Sequence, residues 1–352
     1  MQLAAERLVD WKAAQAVGER VAGSGLPLSS IERARVREDF AEVVPLAEQM
    51  VSEFTQLVPD GPRARAWVQS RGEWLGANLR AFERVMEPFA ARVLPDKPER
   101  GALIAVRRKT IGAELGALLG YLGRKVLGQY DLFTPADDEG VIYFVGANVV
   151  GVERRYHFPE RDFRLWISLH EASHRLQFSG VPWLRGHLSG LIDSYLGSVD
   201  LDPARIVTAL KKAVGDVRAG NGEWRGYGWI FVLMTPEQQD IFRQMQSIMA
   251  LLEGHGNYVM DAVARDRMPQ AAAFRRTLHE RRNKPGMEKA FQKVIGFDTK
   301  IRQYDIGERF VARVVETAGM DGFNRVWAGA DNLPTLEEIA QPELWVARVG
   351  AV

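Results

Sequence analysis

The sequence contains no cysteine. A disulfide scaffold, a thiol nucleophile and a thiolate metal site are thereby excluded, and any bound metal must be held by His, Asp or Glu. An excess of one charge is lacking too: 46 Lys and Arg stand against 45 Asp and Glu, for a formal net charge of +1. No one-signed field therefore points to nucleic acid or a membrane as partner. The pairs Arg275-Arg276 and Arg281-Arg282 read as solvated helix faces. No apolar run reaches the roughly 20 residues that span a bilayer; the strongest, 141–152 and 227–234, are too short. The opening residues carry charges throughout and lack the apolar core of a signal peptide, so the cytoplasm is the expected location. A Gly-rich phosphate loop, a dinucleotide fingerprint, internal repeats and low-complexity segments are also missing.

What is present suits a packed globular chain. Its 352 residues, 46% of them hydrophobic, suffice for one large domain or two smaller ones. Residues 1–130 read as a helical region. Ser29-Ser30-Ile31-Glu32 offers a serine N-cap for a long periodic segment that Pro59-Asp60-Gly61-Pro62 breaks. A second helix is expected from about 64 to 93, and a third to about 127. Residues 131–352 form the rest, either as a second region or as part of one continuous domain. In it, the β-branched and aromatic segment 141–152 reads as one or two strands, with Gly146 as a bend. Residues 215–228 read as a loop with Asn221-Gly222 as its turn. Pro236 opens a helix to about 265, and further helices follow from 285. The expected class is mainly α with a small β-sheet.

The informative string is Leu169-His170-Glu171-Ala172-Ser173-His174, on a helix expected over about 162–178. Histidines four apart share one helix face, so both imidazoles can reach a single cation. Glu171 lies about 100° round the axis, beside the metal rather than on it. There it is placed to take a proton from metal-bound water, whose pKa zinc lowers to about 7. With six histidines in the chain, this HExxH pattern arises by chance only about 0.01 times per chain of such composition.

A catalytic zinc site wants a third protein ligand. Glu253 is the candidate, at the edge of a buried stripe marked by Ile241, Met245, Ile248, Met249, Leu252, Val259 and Val263. His255 is the rival ligand or a donor to the reacting carbonyl. Asn257, one turn on from Glu253, is the candidate to bond a ligating histidine from behind. Gly254 and Gly256, poor helix residues, suggest that another backbone, or the metal helix, passes close by. Only one Glu-x-x-His pair occurs, which speaks against a di-iron carboxylate bundle. Strand-like residues before the metal helix offer an edge on which a peptide could add.

These strings resemble the zincin-like metallopeptidase type 2 family. The similarity lies in residues 162–184 around His170-Glu171-x-x-His174, in Glu253-Gly254-His255 with Val259-Met260-Asp261, and in Lys300-x-Arg302-Gln303-Tyr304-x-x-Gly307 followed by residues 319–324. The resemblance implies a zinc-dependent hydrolase, mostly helical, with a zincin-like metal helix in an atypical fold. One branch of the family is linked by gene context to biosynthesis of the deazaflavin coenzyme F-420. By this resemblance His170, His174 and Glu253 hold Zn2+, Glu171 is the general base, and Tyr304 and Arg302 rank first as oxyanion donors. Peptide or protein is the expected substrate. The alternative from another class is a non-catalytic interaction protein in which a fourth ligand such as His255 closes the zinc.

Overall fold

The computed structural model describes residues 8–93, 101–130, 140–199, 234–283 and 300–350. By internal contacts the chain divides into two compact units, Met1–Gly180 and Val181–Val352. Among the described residues the fold is mainly α with one three-stranded mixed sheet. No helix among them is long and apolar enough to cross a membrane.

The first unit runs α1 (Trp11–Ala22), α2 (Ser30–Thr55), β1 (Arg65–Gln69), α3 (Arg71–Val93), α4 (Ala102–Gly123), β2 (Gly128–Tyr130), β3 (Val141–Val145), α5 (Gly146–Tyr156) and α6 (Glu160–Ser179). The expected serine cap opens α2. Ser29 Oγ accepts the Glu32 N–H at 3.2 Å and the Glu32 carboxylate accepts the Ser29 N–H at 2.7 Å, a reciprocal capping box. Helices α1 and α4 touch at their backbones. A Cβ added to Gly116 would lie 2.1 Å from the Ala14 carbonyl oxygen, so only glycine permits this approach. In the sheet, β3 is central, paired parallel with β1 and antiparallel with β2. Phe144 of β3 is fully buried and stacks on Phe40 of α2, with ring centroids 3.9 Å apart.

Two expectations are corrected here. The helix expected from 64 starts only at Arg71, because residues 65–69 pair with 141–145 as β1. Ser70 then caps α3: its hydroxyl accepts the Glu73 N–H and the Glu73 carboxylate accepts the Ser70 N–H. Strand structure in 141–152 stops at Val145, and Gly146 begins α5 instead of bending a strand. A Cβ at Gly146 would meet Val68 Cγ1 at 2.8 Å. Asn148 then anchors the new helix, donating to the Gly123 and Val126 carbonyls at 2.8 and 2.6 Å and accepting from Arg71 at 2.7 Å. These tertiary bonds, and burial of Val149, Val150 and Val152, override the β-branched preference of the segment.

The second unit runs α7 (Pro182–Ser198), α8 (Pro236–Ala264), α9 (Ala271–Asn283), α10 (Lys300–Asn324), two 3-10 turns (Arg325–Trp327 and Ala330–Asn332), α11 (Leu336–Ala340) and α12 (Pro342–Val349). Pro236 sits in the first turn of α8 as expected, behind a Thr235–Gln238 capping box. The backbone that Gly254 was expected to admit belongs to α10: a Cβ on Gly254 would lie 2.2 Å from the Gly307 carbonyl carbon. Gly319, with φ of 70°, kinks α10 near its end. The loop expected over 215–228 lies outside the described residues.

Candidate metal centre

Helix α6 carries the HExxH pattern in the first unit and is fixed on two sides by buried arginines. Arg164, 2% exposed, makes a two-bonded pair with Glu153 of α5 at 2.9 and 2.8 Å and reaches Asp39 of α2. Burial is the main cause that raises the Glu153 carboxyl above its usual range; Arg164 opposes it. Arg175, 1% exposed, bonds Glu48 of α2 and the Pro62 carbonyl. Each guanidinium thus ties one turn of α6 to the rest of the unit. Its planar fork suits two acceptors at once.

Between these anchors the two histidines converge. His170 Nε2 and His174 Nε2 lie 3.1 Å apart, with the rings at 86° to each other. Two nitrogens bound tetrahedrally to one zinc, each about 2.0–2.1 Å away, lie roughly 3.3 Å apart. The pair therefore fits a shared zinc ion. Both rings are half-buried. The far nitrogen of His174, Nδ1, donates to Gln177 Oε1 at 2.9 Å, and Gln177 is fully buried. A proton held at Nδ1 leaves Nε2 with its lone pair, the tautomer a metal ligand requires.

Glu171 faces another way. It is 8% exposed, and its Oε2 accepts the Tyr130 backbone N–H of strand β2 at 3.0 Å. Gly128, two residues earlier on the strand, lies against the same carboxylate. These β2 contacts were missed from the sequence, since nothing in the chemistry of Gly128 or Tyr130 marks them. Gln177 was visible as a neighbour three residues after His174 but was given no role; the i, i+3 spacing was its signal.

The other candidates lie in the second unit. Glu253 is half-buried on α8, and Asn257 one turn on is 9% exposed. His255 is fully buried, stacked on Phe323 with ring centroids 5.2 Å apart and edge-on to Trp327 at 5.4 Å. Arg302 and Tyr304 fall within α10, but their side chains lie outside the described residues.

The family model described as Zincin-like metallopeptidase matches residues 9–346, nearly the whole chain. A crystal structure described as that of "a putative hydrolase with a novel fold", from Chloroflexus aurantiacus, is 30% identical. The match covers 97% of this chain and 99% of that one, with a TM-score of 0.73. No curated protein matches. With a helix-borne histidine pair spaced for one metal and a family match across its length, the chain belongs to the Zincin-like metallopeptidase family.

Proposed function

We infer that the protein is a zinc-dependent hydrolase that cleaves peptide or amide bonds. The observation that carries this reading is the convergence of His170 Nε2 and His174 Nε2 at 3.1 Å beside a buried Glu171. In this reading His170, His174 and Glu253 hold the metal. Zinc held there supplies Lewis acidity, lowering the pKa of a water to roughly 7 and polarising a carbonyl.

The chain's own residues do the rest. Gln177 holds His174 in the ligating tautomer. Glu171 takes the proton from the attacking water and returns it to the leaving nitrogen. The oxyanion donor is sought among Tyr304, Arg302 and His255, and Asn257 serves as a hydrogen-bond partner behind a ligand. Peptide is the favoured substrate class because the matching family is described as a metallopeptidase; residues 141–145, read as a peptide-binding edge, are instead the central strand β3, paired on both sides.

Elemental analysis of wild type, His174→Ala, Glu253→Ala and Glu171→Gln, with turnover of a fluorogenic peptide library, tests the reading. About one zinc per chain is expected in wild type. It should be lost in His174→Ala, weakened in Glu253→Ala and kept in Glu171→Gln, with turnover abolished in His174→Ala, lowered in Glu253→Ala and reduced about 10²- to 10⁴-fold in Glu171→Gln. Zinc retained at full affinity in Glu253→Ala would remove Glu253 from the ligand set. A metal-loaded wild type that cleaves nothing in the library would favour the non-catalytic zinc-stabilised protein.

A further inference from the structure

We propose that Gly128 is a positioning residue which, together with the Tyr130 N–H, seats the Glu171 carboxylate. Strand β2 then belongs to the catalytic apparatus as well as to the sheet. The proposal rests on the hydrolase reading above and deepens it.

Two observations meet at this carboxylate. The Tyr130 N–H donates to Glu171 Oε2 at 3.0 Å. A Cβ built on Gly128 would lie 2.8 Å from Glu171 Cγ, 2.9 Å from Oε1 and 3.1 Å from Cδ. Real Cβ atoms do not approach so closely, so the carboxylate occupies space that exists only because residue 128 has no side chain. Gly128 is not among the residues with positive φ. The strand conformation does not call for glycine, and the room for Glu171 is what does. One residue supplies the space and the other supplies the donor that a buried carboxylate needs.

This arrangement answers a problem of the HExxH design. A helix fixes the Cβ of its glutamate but leaves three side-chain torsions free, and the carboxylate must sit within a fraction of an ångström of its productive place. A displacement of about 1 Å costs on the order of 10²-fold in rate. The seat on β2 removes that freedom. It also makes a selective perturbation available. The atoms that would clash with a new Cβ belong to a flexible side chain and not to backbone, so Glu171 should move while the backbone stays.

The test compares Gly128→Ala with wild type, each loaded with zinc, in four readouts. These are kcat and KM on the fluorogenic peptide library, zinc affinity by chelator competition, unfolding temperature, and hydrogen exchange of the Tyr130 amide. Expected are a fall in kcat of about 10- to 100-fold, KM and zinc affinity within about threefold, little change in unfolding temperature, and faster exchange at Tyr130. In a Glu171→Gln background Gly128→Ala should lower the rate no further, because two residues acting through one carboxylate are not additive. Replacing the residue-130 peptide amide by an ester, through incorporation of the α-hydroxy analogue of tyrosine, supplies a second route. It deletes the N–H that donates to Glu171 Oε2 without adding bulk beside the carboxylate. Its kcat should fall below that of wild type. Unchanged kcat in Gly128→Ala, or an undiminished effect in the Glu171→Gln background, would overturn the proposal while leaving the hydrolase reading intact. If zinc-loaded wild type cleaves no peptide, the hydrolase reading falls and the positioning role falls with it.

Discussion

At the scale of single residues, the approach of His170 to His174 was legible because its logic is local. His170 and His174 are one turn apart, and an α-helix alone suffices to bring their rings together. Gln177 extends the same logic by three residues, and a prediction follows from its bond to His174 Nδ1. Deleting a partner behind a metal-bound histidine typically weakens metal binding 10–100-fold. Gln177→Ala should therefore lower zinc affinity by about that factor, with Gln177→Glu, which keeps an acceptor, nearer wild type; chelator competition at fixed pH measures both. The seat of Glu171 was not legible. Tyr130 lies 41 positions before it in the chain, and a backbone N–H leaves no signature in residue type. The buried arginines fall between these cases. Their charge on an apolar helix demands partners, but Glu153, Asp39 and Glu48 are identified only by the folded unit.

Among the elements, legibility followed the source of each element's stability. Helices α2 and α8 start where their capping boxes say they should, since caps are written in four consecutive residues. Segments 65–69 and 146–152 read differently from their sequence because a pairing partner decided the first and buried anchors on Asn148 the second. In the second unit the glycine at 254 correctly announced a close crossing, though not which helix would cross. At that crossing a Cβ on Gly307 would lie 2.0 Å from the Ala250 carbonyl oxygen. Backbone cannot yield as a side chain can, so Gly307→Ala should destabilise the second unit by at least about 2 kcal/mol, seen as a lower urea midpoint. The same unit carries a pH-sensitive tie between α8, α9 and α10. Arg275 bonds both Asp261 and Glu308. Burial raises the Asp261 carboxyl from 3.8 to about 6, against the opposing pull of Arg275. The folded chain thus binds this proton more tightly than the unfolded chain does. The contribution of Asp261 to stability should be full below about pH 4 and decline as pH rises to about 6. An NMR titration of the Asp261 carboxyl carbon should show a midpoint near 6. The urea midpoint of wild type, relative to Asp261→Asn, should fall across the same interval. A midpoint near 4 would show that Arg275 and the other charges fully offset burial.

For the whole molecule, composition bounded the metal chemistry and the partners but not the pairing of strands or the course of the chain. A near-even charge balance and the absence of cysteine left His, Asp and Glu as the only metal ligands and gave no reason to expect a polyanion as partner. The mainly helical class with one small sheet followed from periodicity. The sheet order, with β3 between β1 and β2, joins segments some 75 residues apart and is invisible to any local window. The metal offers a test at this scale that does not depend on finding a substrate. A ligand that binds the folded chain and not the unfolded one stabilises it by RT ln(1 + [L]/Kd), about 2.7 kcal/mol at 100 times Kd. Zinc added to metal-stripped wild type should therefore raise the unfolding temperature by several degrees, increasing with zinc concentration. The rise should shrink as pH falls and protons compete for the histidines. Glu171→Gln should show the full rise, because Glu171 is not among the proposed ligands, and His174→Ala should show none. An equal rise in His174→Ala would mean that zinc stabilises the chain elsewhere. That result would detach the metal from α6 however well the two histidines are spaced.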